Sequence, residues 1–399
     1  MNANWEKFFN IIRKPERMVI GLMSGTSMDG LDIALCAISG SGTQTKVRLA
    51  EFKTVSYTNE FKAEIKAIFS RRDADLQMVC LMNEKVGLVH AAMILDAIAS
   101  WGLKPGDVDI IASHGQTIFH APQSLHGLKD YPNATLQIGD GDHIAVKTGI
   151  ITIADFRQKH IAAGGEGAPL AVYGDYLLFS KTGEDRIMLN IGGIANFTYL
   201  PGDNDATKVF STDVGPGNTL MDQFVQRHYK GLYFDEDARI ATAGKVNEAL
   251  LKELMRSEFL KAGFPKTTGP ELFNLEYLAE AQQNSGTENI SNEDVMATLC
   301  RFSADVIIAA IEKCFGRDRT PSIFVSGGGM HNPLLLSRLK EALKNASFFS
   351  TDDLEINPDA KEAVLFAILA NETMVGNKTN FGDREGVPSV TMGKVCLPE

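Results

Sequence analysis

The feature that most constrains the fold is a plan of strands and glycine-rich turns that occurs twice along the 399 residues. In the first half, apolar runs at 18–23 and 31–38 flank the turn Ser24-Gly-Thr-Ser-Met-Asp-Gly30. In the second half, runs at 186–191 and 194–200 flank Gly192-Gly193. Short apolar runs bounded by glycine and polar residues predict β-strands. Since a third strand and then helices alternating with strands follow each hairpin, the pattern predicts a duplicated α/β protein.

The repeat predicts two domains, residues 1–182 and 183–375, with the tail 376–399 expected to pack back on the first. The length also favours two domains, because single cores stop growing at roughly 250–300 residues. Residues 229–290 interrupt the second repeat, and we expect a mostly helical insertion there. Ligands of α/β sheets bind where strands pass into helices, so the expected nucleotide and substrate site is a cleft between the domains.

Three glycine-rich turns, at 24–30, 190–196 and 326–332, are candidate anion sites. Glycine lets backbone N–H groups approach a phosphate closely, and a following helix adds a favourable dipole. Each turn alone is typical of an ordinary loop, but three at matching places favour nucleotide binding. The candidate nucleotide-binding residues are Gly25, Thr26, Ser27, Met28, Asp29, Gly30, Leu31, Asp32, Gly192, Gly193, Gly327, Gly328, Gly329 and Asn332.

Composition limits the classes of partner. A net charge of −11 and a pI near 5.3 argue against broad binding to nucleic acid or to anionic membranes. The five cysteines are scattered without a CxxC pair, which indicates neither a zinc site nor a disulfide framework. No run approaches 18 apolar residues, and residues 1–17 lack an apolar core. We therefore expect a soluble, cytoplasmic protein with no membrane or nucleic-acid partner.

Eight motifs spread over about residues 18–375 resemble the anhydro-N-acetylmuramic acid kinase family. That family belongs to the superfamily of actin, sugar kinases and heat-shock chaperones, in which two ribonuclease H-like domains close on ATP. The motifs are Met23-Ser-Gly-Thr-Ser-Met-Asp-Gly-Leu-Asp32, Ser113-His-Gly-Gln-Thr117, Leu136-Gln-Ile-Gly-Asp140, Ala154-Asp-Phe-Arg157, Gly165-Glu-Gly-Ala-Pro-Leu170, Leu189-Asn-Ile-Gly-Gly-Ile-Ala-Asn-Phe197, Asp213-Val-Gly-Pro-Gly-Asn218 and Gly327-Gly-Gly-Met-His-Asn332.

The resemblance implies a reaction, two cofactors and an assembly. The reaction is the ATP- and Mg²⁺-dependent conversion of 1,6-anhydro-N-acetylmuramic acid into N-acetylmuramic acid 6-phosphate and ADP, in the recycling of cell-wall sugars. The assembly is a homodimer. Asp29 and Asp32 are carboxylates that could hold a metal ion directly or through water, but the sequence does not assign the magnesium ligands.

Asp213 is the predicted catalytic base. Opening the anhydro bridge requires water to attack the anomeric carbon while the bridging oxygen takes the γ-phosphoryl group. Water at neutral pH needs a carboxylate within hydrogen-bond reach. Asp213 ends a strand just before Gly215-Pro-Gly217, where its side chain can enter the cleft. The alternative is an aspartate that only caps a turn or a helix.

Five further residues are predicted to contact the sugar. Arginine can hold the lactyl carboxylate of the substrate through two hydrogen bonds. Each residue also has a structural alternative: a satisfied core histidine, a surface Asp–Arg pair, or an asparagine that caps a helix. The predicted sugar contacts are His114, Gln116, Asp155, Arg157 and Asn218.

Two other functions stay open from the sequence. One is another kinase on the same fold, acting on an ordinary sugar or on a carboxylate. The other is an ATP-switched binding protein like the chaperone relatives. Such a protein should carry a peptide-binding domain, for which only residues 229–290 offer room. ATP turnover that requires a sugar would separate the kinases from the binding protein.

Overall fold

Two sheets organise the chain, one in each of two compact units. The computed structural model describes residues 2–25, 27–168, 170–269, 271–316, 319–354, 357–382 and 386–399. The N-terminal unit comprises Met1–Phe179 together with Glu355–Glu399, and the C-terminal unit comprises Ser180–Leu354.

The elements are numbered along the chain. The strands are β1 (Glu16–Ser24), β2 (Gly30–Ser39), β3 (Lys46–Ser56), β4 (Ile110–Ala121), β5 (Ala134–Ile138), β6 (Thr152–Ala154), β7 (Arg186–Ile191), β8 (Ile194–Leu200), β9 (Phe210–Pro216), β10 (Ser322–Ser326), β11 (Ser347–Ser350) and β12 (Lys394–Cys396). The helices are α1 (Ala3–Ile12), α2 (Asn59–Ile68), α3 (Leu76–Ser100), α4 (Gln123–His126), α5 (Gly141–Thr148), α6 (Phe156–Ala162), α7 (Ala171–Phe179), α8 (Thr219–His228), α9 (Arg239–Ala243), α10 (Glu248–Leu254), α11 (Glu258–Lys261), α12 (Leu275–Ser285), α13 (Asn292–Phe315), α14 (Pro333–Ala342) and α15 (Lys361–Val375).

The two sheets share a core of five strands with the same topology, to which the N-terminal sheet adds β5 beside β4 and β12 beside β6. In the N-terminal unit the order is β12-β6-β4-β1-β2-β3, and in the C-terminal unit it is β11-β10-β7-β8-β9. In each repeat the first three strands (β1–β3 and β7–β9) pair in antiparallel order. The next core strand (β4 and β10) pairs in parallel with the first strand of its repeat. A further strand (β6 and β11) pairs in parallel with β4 and β10 respectively. The repeated strand–turn pattern predicts this duplicated α/β plan, and the family resemblance implies its ribonuclease H-like domains. The fold class is therefore confirmed.

The domain boundary differs from the expected one at helix α15. The predicted second domain ran to residue 375, but α15 belongs to the N-terminal unit. Ten of its residues are buried, and it packs closely against β1. A Cβ on Gly21 would lie 1.9 Å from the carbonyl oxygen of Ala363, so only glycine permits this approach. The tail 376–399 also lies in the N-terminal unit, where β12 pairs with β6.

Two helices, α2 and α3, lie between β3 and β4 in the chain. The side chains of Thr58 and Asp75 accept hydrogen bonds from backbone N–H groups and cap α2 and α3 respectively. By length and composition, α3 could cross a membrane. Its buried residues include Met82, Val86 and Ile94, which join the core beside the sheet.

The segment 229–290 forms helices α9 to α12 and, among its described residues, no strand. Leu250, Leu254 and Phe273 from this segment are fully buried in the same core cluster as Ile187 of β7 and Phe302 of α13. The insertion is thus part of the hydrophobic core of the C-terminal unit.

Candidate active site

The first glycine-rich turn joins β1 to β2 in the N-terminal unit. Met28 is buried, whereas Ser27 and Asp29 are exposed. A Cβ on Gly25 would meet no atom closer than 3.7 Å, but a Cβ on Gly30 would lie 2.4 Å from the carbonyl oxygen of Val55. Gly25 is therefore free to lie against a ligand, whereas Gly30 is required by the β2–β3 pairing. Thr26 lies outside the described residues.

Leu31 and Asp32 follow the turn on β2 but differ in surroundings. Leu31 is fully buried in the core, so its side chain cannot contact nucleotide. The Asp32 carboxylate is half-buried, and its Oδ1 accepts a hydrogen bond from the Thr54 hydroxyl at 2.6 Å. Burial raises the pKa of Asp32, and the nearby charge of Asp359 adds to that rise.

His114 and Arg157 form one buried hydrogen-bonded pair. Arg157 Nε donates to His114 Nε2 at 2.8 Å, and His114 Nδ1 lies 2.9 Å from the carbonyl oxygen of Gly115. These partners place the ring proton on Nδ1. Burial, helped by the Arg157 charge, lowers the pKa of His114 to about 3, so the ring is neutral. Both ring nitrogens are engaged, which makes His114 a support for Arg157 rather than a free donor to sugar.

Arg157 stays charged and keeps one donor available. Burial lowers its pKa to about 10, with the charge of Glu362 acting in the opposite direction. Its Nη1 donates to the carbonyl oxygen of Gly167 at 2.6 Å. Among the residues that the structure describes, its Nη2 has no hydrogen-bond partner. A carboxylate ligand could accept from that nitrogen.

Asp155 and Gln116, both predicted sugar contacts, are held by different parts of the N-terminal unit. Asp155 has a left-handed backbone conformation (φ 57°) before α6, and its carboxylate pairs with Lys394 of the C-terminal tail. Gln116 is fully buried on β4. Its Oε1 accepts from the Ser24 hydroxyl at 2.5 Å, and its Nε2 donates to the carbonyl oxygen of Gly25 at 3.2 Å. Gln116 thus contacts the first turn directly, while Asp155 is tied to the tail.

The second turn, in the C-terminal unit, is Gly192-Gly193 between β7 and β8. The backbone N–H groups of Gly217 and Asn218 donate to the carbonyl oxygens of Gly193 and Gly192, at 2.9 and 2.8 Å. A Cβ on Gly192 or Gly193 would make only ordinary contacts, at 3.5 and 3.8 Å. Asn218 lies at the N-cap of α8, yet its side chain donates to the Ile191 carbonyl oxygen at 3.4 Å instead of capping.

The third turn follows β10 and forms a short 3₁₀ segment, Gly328–His331. Gly327 has φ +81°, and a Cβ on Gly329 would lie 2.2 Å from Ile191 Cγ2, so both positions require glycine for structural reasons. Gly328 is open, because the nearest atom to a Cβ placed there would be Asn218 Nδ2, at 3.7 Å. Asn332 caps α14, because its Oδ1 accepts from the N–H of Leu335 at 2.9 Å.

A cleft of about 470 Å³ brings Asn218, Gly328 and Asn332 together in the C-terminal unit. Asp222 of α8 and the aromatic residues Tyr233 and Phe234 also line it. The aromatic side chains are 75% and 59% exposed, and burial raises the pKa of Asp222 to about 6. Flat apolar surface beside hydrogen-bonding groups suits a nucleoside.

Asp213 lies on β9 of the C-terminal unit, where the insertion holds it. Its Oδ2 accepts a hydrogen bond from the N–H of Thr268 at 2.9 Å, and its own N–H donates to the carbonyl oxygen of Lys266 at 2.9 Å. In the described part of the chain, its Oδ1 has no hydrogen-bond partner. Burial raises its pKa, and the charge of Glu271 adds to the rise. The carboxylate is therefore fixed by one oxygen and available through the other.

The sequence prediction missed several residues at these sites. Tyr57 and His90 lie beneath the first turn, Asp222 lines the cleft, and Glu362 acts on the charge of Arg157. None belongs to a glycine-rich turn or a recognisable spacing, since each reaches its site through packing of distant segments.

Each of the two ribonuclease H-like units carries open glycines after its strands, and β9 carries a half-buried carboxylate. These features are typical of the class of ATP-dependent phosphotransferases with this fold. Within that class, the chain belongs to the anhydro-N-acetylmuramic acid kinase family, whose family model matches residues 17–395.

Relatives over the whole chain carry the same family name. A protein of Pseudoalteromonas atlantica (strain T6c / ATCC BAA-1087) named anhydro-N-acetylmuramic acid kinase is 53% identical over 401 residues and covers 100% of both chains. A protein of Caldanaerobacter subterraneus subsp. tengcongensis with that name is 40% identical, covering 98% of this chain and 100% of its own. Another, from Bacillus cereus (strain 03BB102), is 36% identical, covering 95% and 99%. The chain is thus a member of this kinase family over its full length.

Proposed function

We propose that this chain uses ATP to open 1,6-anhydro-N-acetylmuramic acid and to phosphorylate its 6-oxygen, giving N-acetylmuramic acid 6-phosphate and ADP in the recycling of peptidoglycan sugars. The observation that carries the proposal is the 53% identity, over both full lengths, with a relative named for this substrate. The half-buried Asp213 carboxylate supports it, because hydrolytic opening needs a base.

Asp213 acts as the general base in this proposal. Its Oδ1 takes a proton from water while the water oxygen bonds to the anomeric carbon. The bond from that carbon to the bridging oxygen breaks, and the oxygen bonds to the γ-phosphorus as ADP leaves. The Thr268 hydrogen bond holds the carboxylate in one orientation, and burial makes it a stronger base than a free aspartate.

The nucleotide contacts divide between open backbone and the cleft. Gly25 in the N-terminal unit, and Gly192 and Gly193 in the C-terminal unit, are positions where a phosphate can approach the backbone, because no protein atom lies within 3.4 Å of a Cβ placed there. In the cleft, Gly328 offers the same freedom to the ribose or base. The Asp222 carboxylate would accept hydrogen bonds from ribose hydroxyls or from an exocyclic amine.

The donor groups present suit a magnesium ion that is bound mainly by phosphates and water. The described residues contain no group of three or more His, Cys, Asp or Glu side chains that could cage a metal. Mg²⁺ in kinases typically takes one or two carboxylates and keeps several waters. Asp32, with one oxygen occupied by Thr54, would hold it through water. When bound, the ion neutralises charge on the transferring phosphoryl group.

Arg157 is the proposed contact for the lactyl carboxylate of the sugar, because it is a charged group that keeps a free donor. His114 supports Arg157, and Asn218 and Asp155 remain proposed sugar contacts. We further propose a cytoplasmic homodimer without nucleic-acid or membrane partners, in keeping with the acidic composition.

A sugar-dependent assay of ATP turnover tests the proposal. The purified protein with ATP and Mg²⁺ should release ADP rapidly only when the anhydro sugar is added, and mass spectrometry should find N-acetylmuramic acid 6-phosphate. Fast ADP release without sugar would make the chain an ATP-switched protein instead. Equal turnover with glucose or N-acetylglucosamine would make it a kinase of another substrate class.

A further inference from the structure

Four buried polar side chains meet beneath the first glycine-rich turn. They come from four separate elements: Ser24 ends β1, Tyr57 follows β3, His90 lies on α3 and Gln116 lies on β4. Each is at most 4% exposed. Buried polar groups cost free energy unless they are paired, so the arrangement of their partners indicates what the four residues do.

The hydrogen bonds form a continuous chain with a consistent set of protons. The Ser24 hydroxyl donates to Gln116 Oε1 at 2.5 Å, and the Tyr57 hydroxyl donates to Ser24 Oγ at 2.9 Å. The Tyr57 oxygen also lies 2.7 Å from His90 Nε2. Because the Tyr57 proton is used by Ser24, His90 donates from Nε2. Burial lowers the pKa of His90 to about 4, so the ring is neutral.

The chain ends on the turn and fixes both of its sides. Gln116 Nε2 donates to the carbonyl oxygen of Gly25 at 3.2 Å, and the N–H of Met28 donates to the same oxygen at 3.2 Å. On the other side, the N–H of Tyr57 donates to the carbonyl oxygen of Asp29 at 3.1 Å. Tyr57 thus holds the turn twice, through its backbone and, by way of Ser24 and Gln116, through its side chain.

The network is not built for stability alone. In the tautomer just assigned, His90 Nδ1 is a buried acceptor without a partner in the described part of the chain. Satisfied buried networks rigidify a site, whereas an unsatisfied member costs stability. Keeping His90 therefore makes sense if the orientation of Tyr57 matters more than the cost. Rigid support from outside the contacting residues is what a preorganised anion site requires.

We propose that Tyr57, oriented by His90, is a positioning residue that holds Gly25 and its turn in the geometry that binds the phosphates of the nucleotide. This inference rests on the proposed phosphate-binding role of the turn. Tyr57 is only 4% exposed, so the role assigned to it is indirect. It acts through Ser24 and Gln116, so its loss should weaken nucleotide binding and leave sugar binding unchanged.

The test is Tyr57→Phe, which removes the hydroxyl and keeps the ring. That ring packs edge-on against Phe61, with 4.9 Å between the two ring centroids. Its matched control is Tyr277→Phe in the C-terminal unit, which also loses a part-buried hydroxyl bond, to the Leu254 carbonyl oxygen. Calorimetry with a non-hydrolysable ATP analogue gives Kd, kinetics give kcat and KM for each substrate, and thermal melts give Tm. We expect the Tyr57 variant to raise the Kd and the KM for ATP by about tenfold, with the sugar KM unchanged. The control should lower Tm comparably and change neither constant.

Equal ATP affinity in the two folded variants would overturn the inference. If Tyr57→Phe does not fold, Ser24→Ala is the substitute, because it breaks the same chain of hydrogen bonds next to Gln116 and leaves the Tyr57–His90 pair intact. The same rise in the Kd for ATP is expected from Ser24→Ala. An unchanged Kd would also overturn the inference. Gly25→Val separates this failure from failure of the proposed function. If Gly25→Val weakens ATP binding and Tyr57→Phe does not, only the positioning role of Tyr57 is contradicted. Normal binding in both means that the turn does not bind phosphate.

Discussion

Asp213 Oδ2 accepts a hydrogen bond from the backbone N–H of Thr268 at 2.9 Å, which ties the carboxylate on β9 to the segment that interrupts the second repeat. Asparagine at position 213 can still accept this bond through its amide oxygen. The substitution therefore removes the charge and keeps the local structure.

For Asp213→Asn we expect kcat to fall by roughly 10²–10⁴, the usual contribution of a general base. ATP affinity should stay within about twofold, because the amide still fits its place on β9. Steady-state kinetics and calorimetry measure the two. Asp203→Asn, which changes an exposed aspartate of the same unit, is the control and should be active. A variant that keeps a third of the turnover would assign the base to another carboxylate.

Glu271 should set part of the acid limb of the pH–rate profile. Burial, and secondarily the Glu271 charge, raise the pKa of Asp213 above its ordinary value. The base is lost as pH falls through that raised pKa. Glu271→Gln removes one cause of the rise, so the acid limb of kcat/KM should move to lower pH. Because Glu271 is exposed, salt should reduce the difference between the variant and the original protein. An unchanged profile would show that Glu271 does not act on the base.

Gly328 and Gly329 are neighbours with opposite expected responses to substitution. Gly328→Val should fold normally but weaken binding of the ATP analogue by about tenfold or more, because the new methyl groups enter space left for the nucleotide. Gly329→Ala should instead lower stability by about 1–3 kcal/mol, since its Cβ would overlap Ile191. Melting curves and calorimetry on both variants distinguish the effects. Wild-type nucleotide affinity in a folded Gly328 variant would show that the nucleotide does not bind in this cleft.

Arg157→Lys tests the carboxylate contact. Lysine keeps the charge but cannot bond His114, Gly167 and a ligand together from a planar fork. The sugar KM should rise by about tenfold or more, with little change in the KM for ATP. Lys85→Ala is the control, because it breaks an exposed pair with Glu64 of the same unit, and such pairs contribute about 1 kcal/mol or less. If both KM values rose together for Arg157→Lys, general distortion of the unit would explain the result better than a lost contact.

The fold was predictable from the sequence because its determinants are local. Apolar runs of strand length and the glycines between them repeat in order, so the two hairpins and their succession could be read along the chain. The assignment of α15 could not, because it depends on a close approach to Gly21 on β1, far away in sequence. A repeat pattern does not say which sheet a terminal helix will cover.

The site was predictable only where a motif carries the residue. Asp213, Arg157 and Gly328 belong to motifs that are visible in the sequence, although Asp213 lies within β9 and Arg157 within α6. By contrast, Asn332 caps α14, and Leu31 belongs to the core, although both lie within glycine-rich motifs. Tyr57 and His90 could not be found, because their 2.7 Å contact joins the end of β3 to the middle of α3.

The oxygen atoms of the product test the reaction itself. An anhydro sugar has no free 6-hydroxyl, since its 6-oxygen bridges to the anomeric carbon. A base that deprotonates a 6-hydroxyl would find no proton there, whereas a base that activates water opens the bridge. The water oxygen must then end on the anomeric carbon, and the bridging oxygen must carry the phosphate.

Turnover in oxygen-18 water should therefore label the anomeric position of freshly formed product and leave the oxygen between C6 and phosphorus unlabelled. Mass spectrometry of fragments within the first minutes measures this, because ring opening later exchanges the anomeric oxygen with solvent. N-acetylmuramic acid incubated in the same water without enzyme controls for that exchange. Label on the C6 oxygen would mean that water attacks C6, which would require a different position for the base. Phosphorylation of N-acetylmuramic acid as fast as its anhydro form would make the enzyme a plain sugar 6-kinase, for which Asp213 would deprotonate a hydroxyl rather than water.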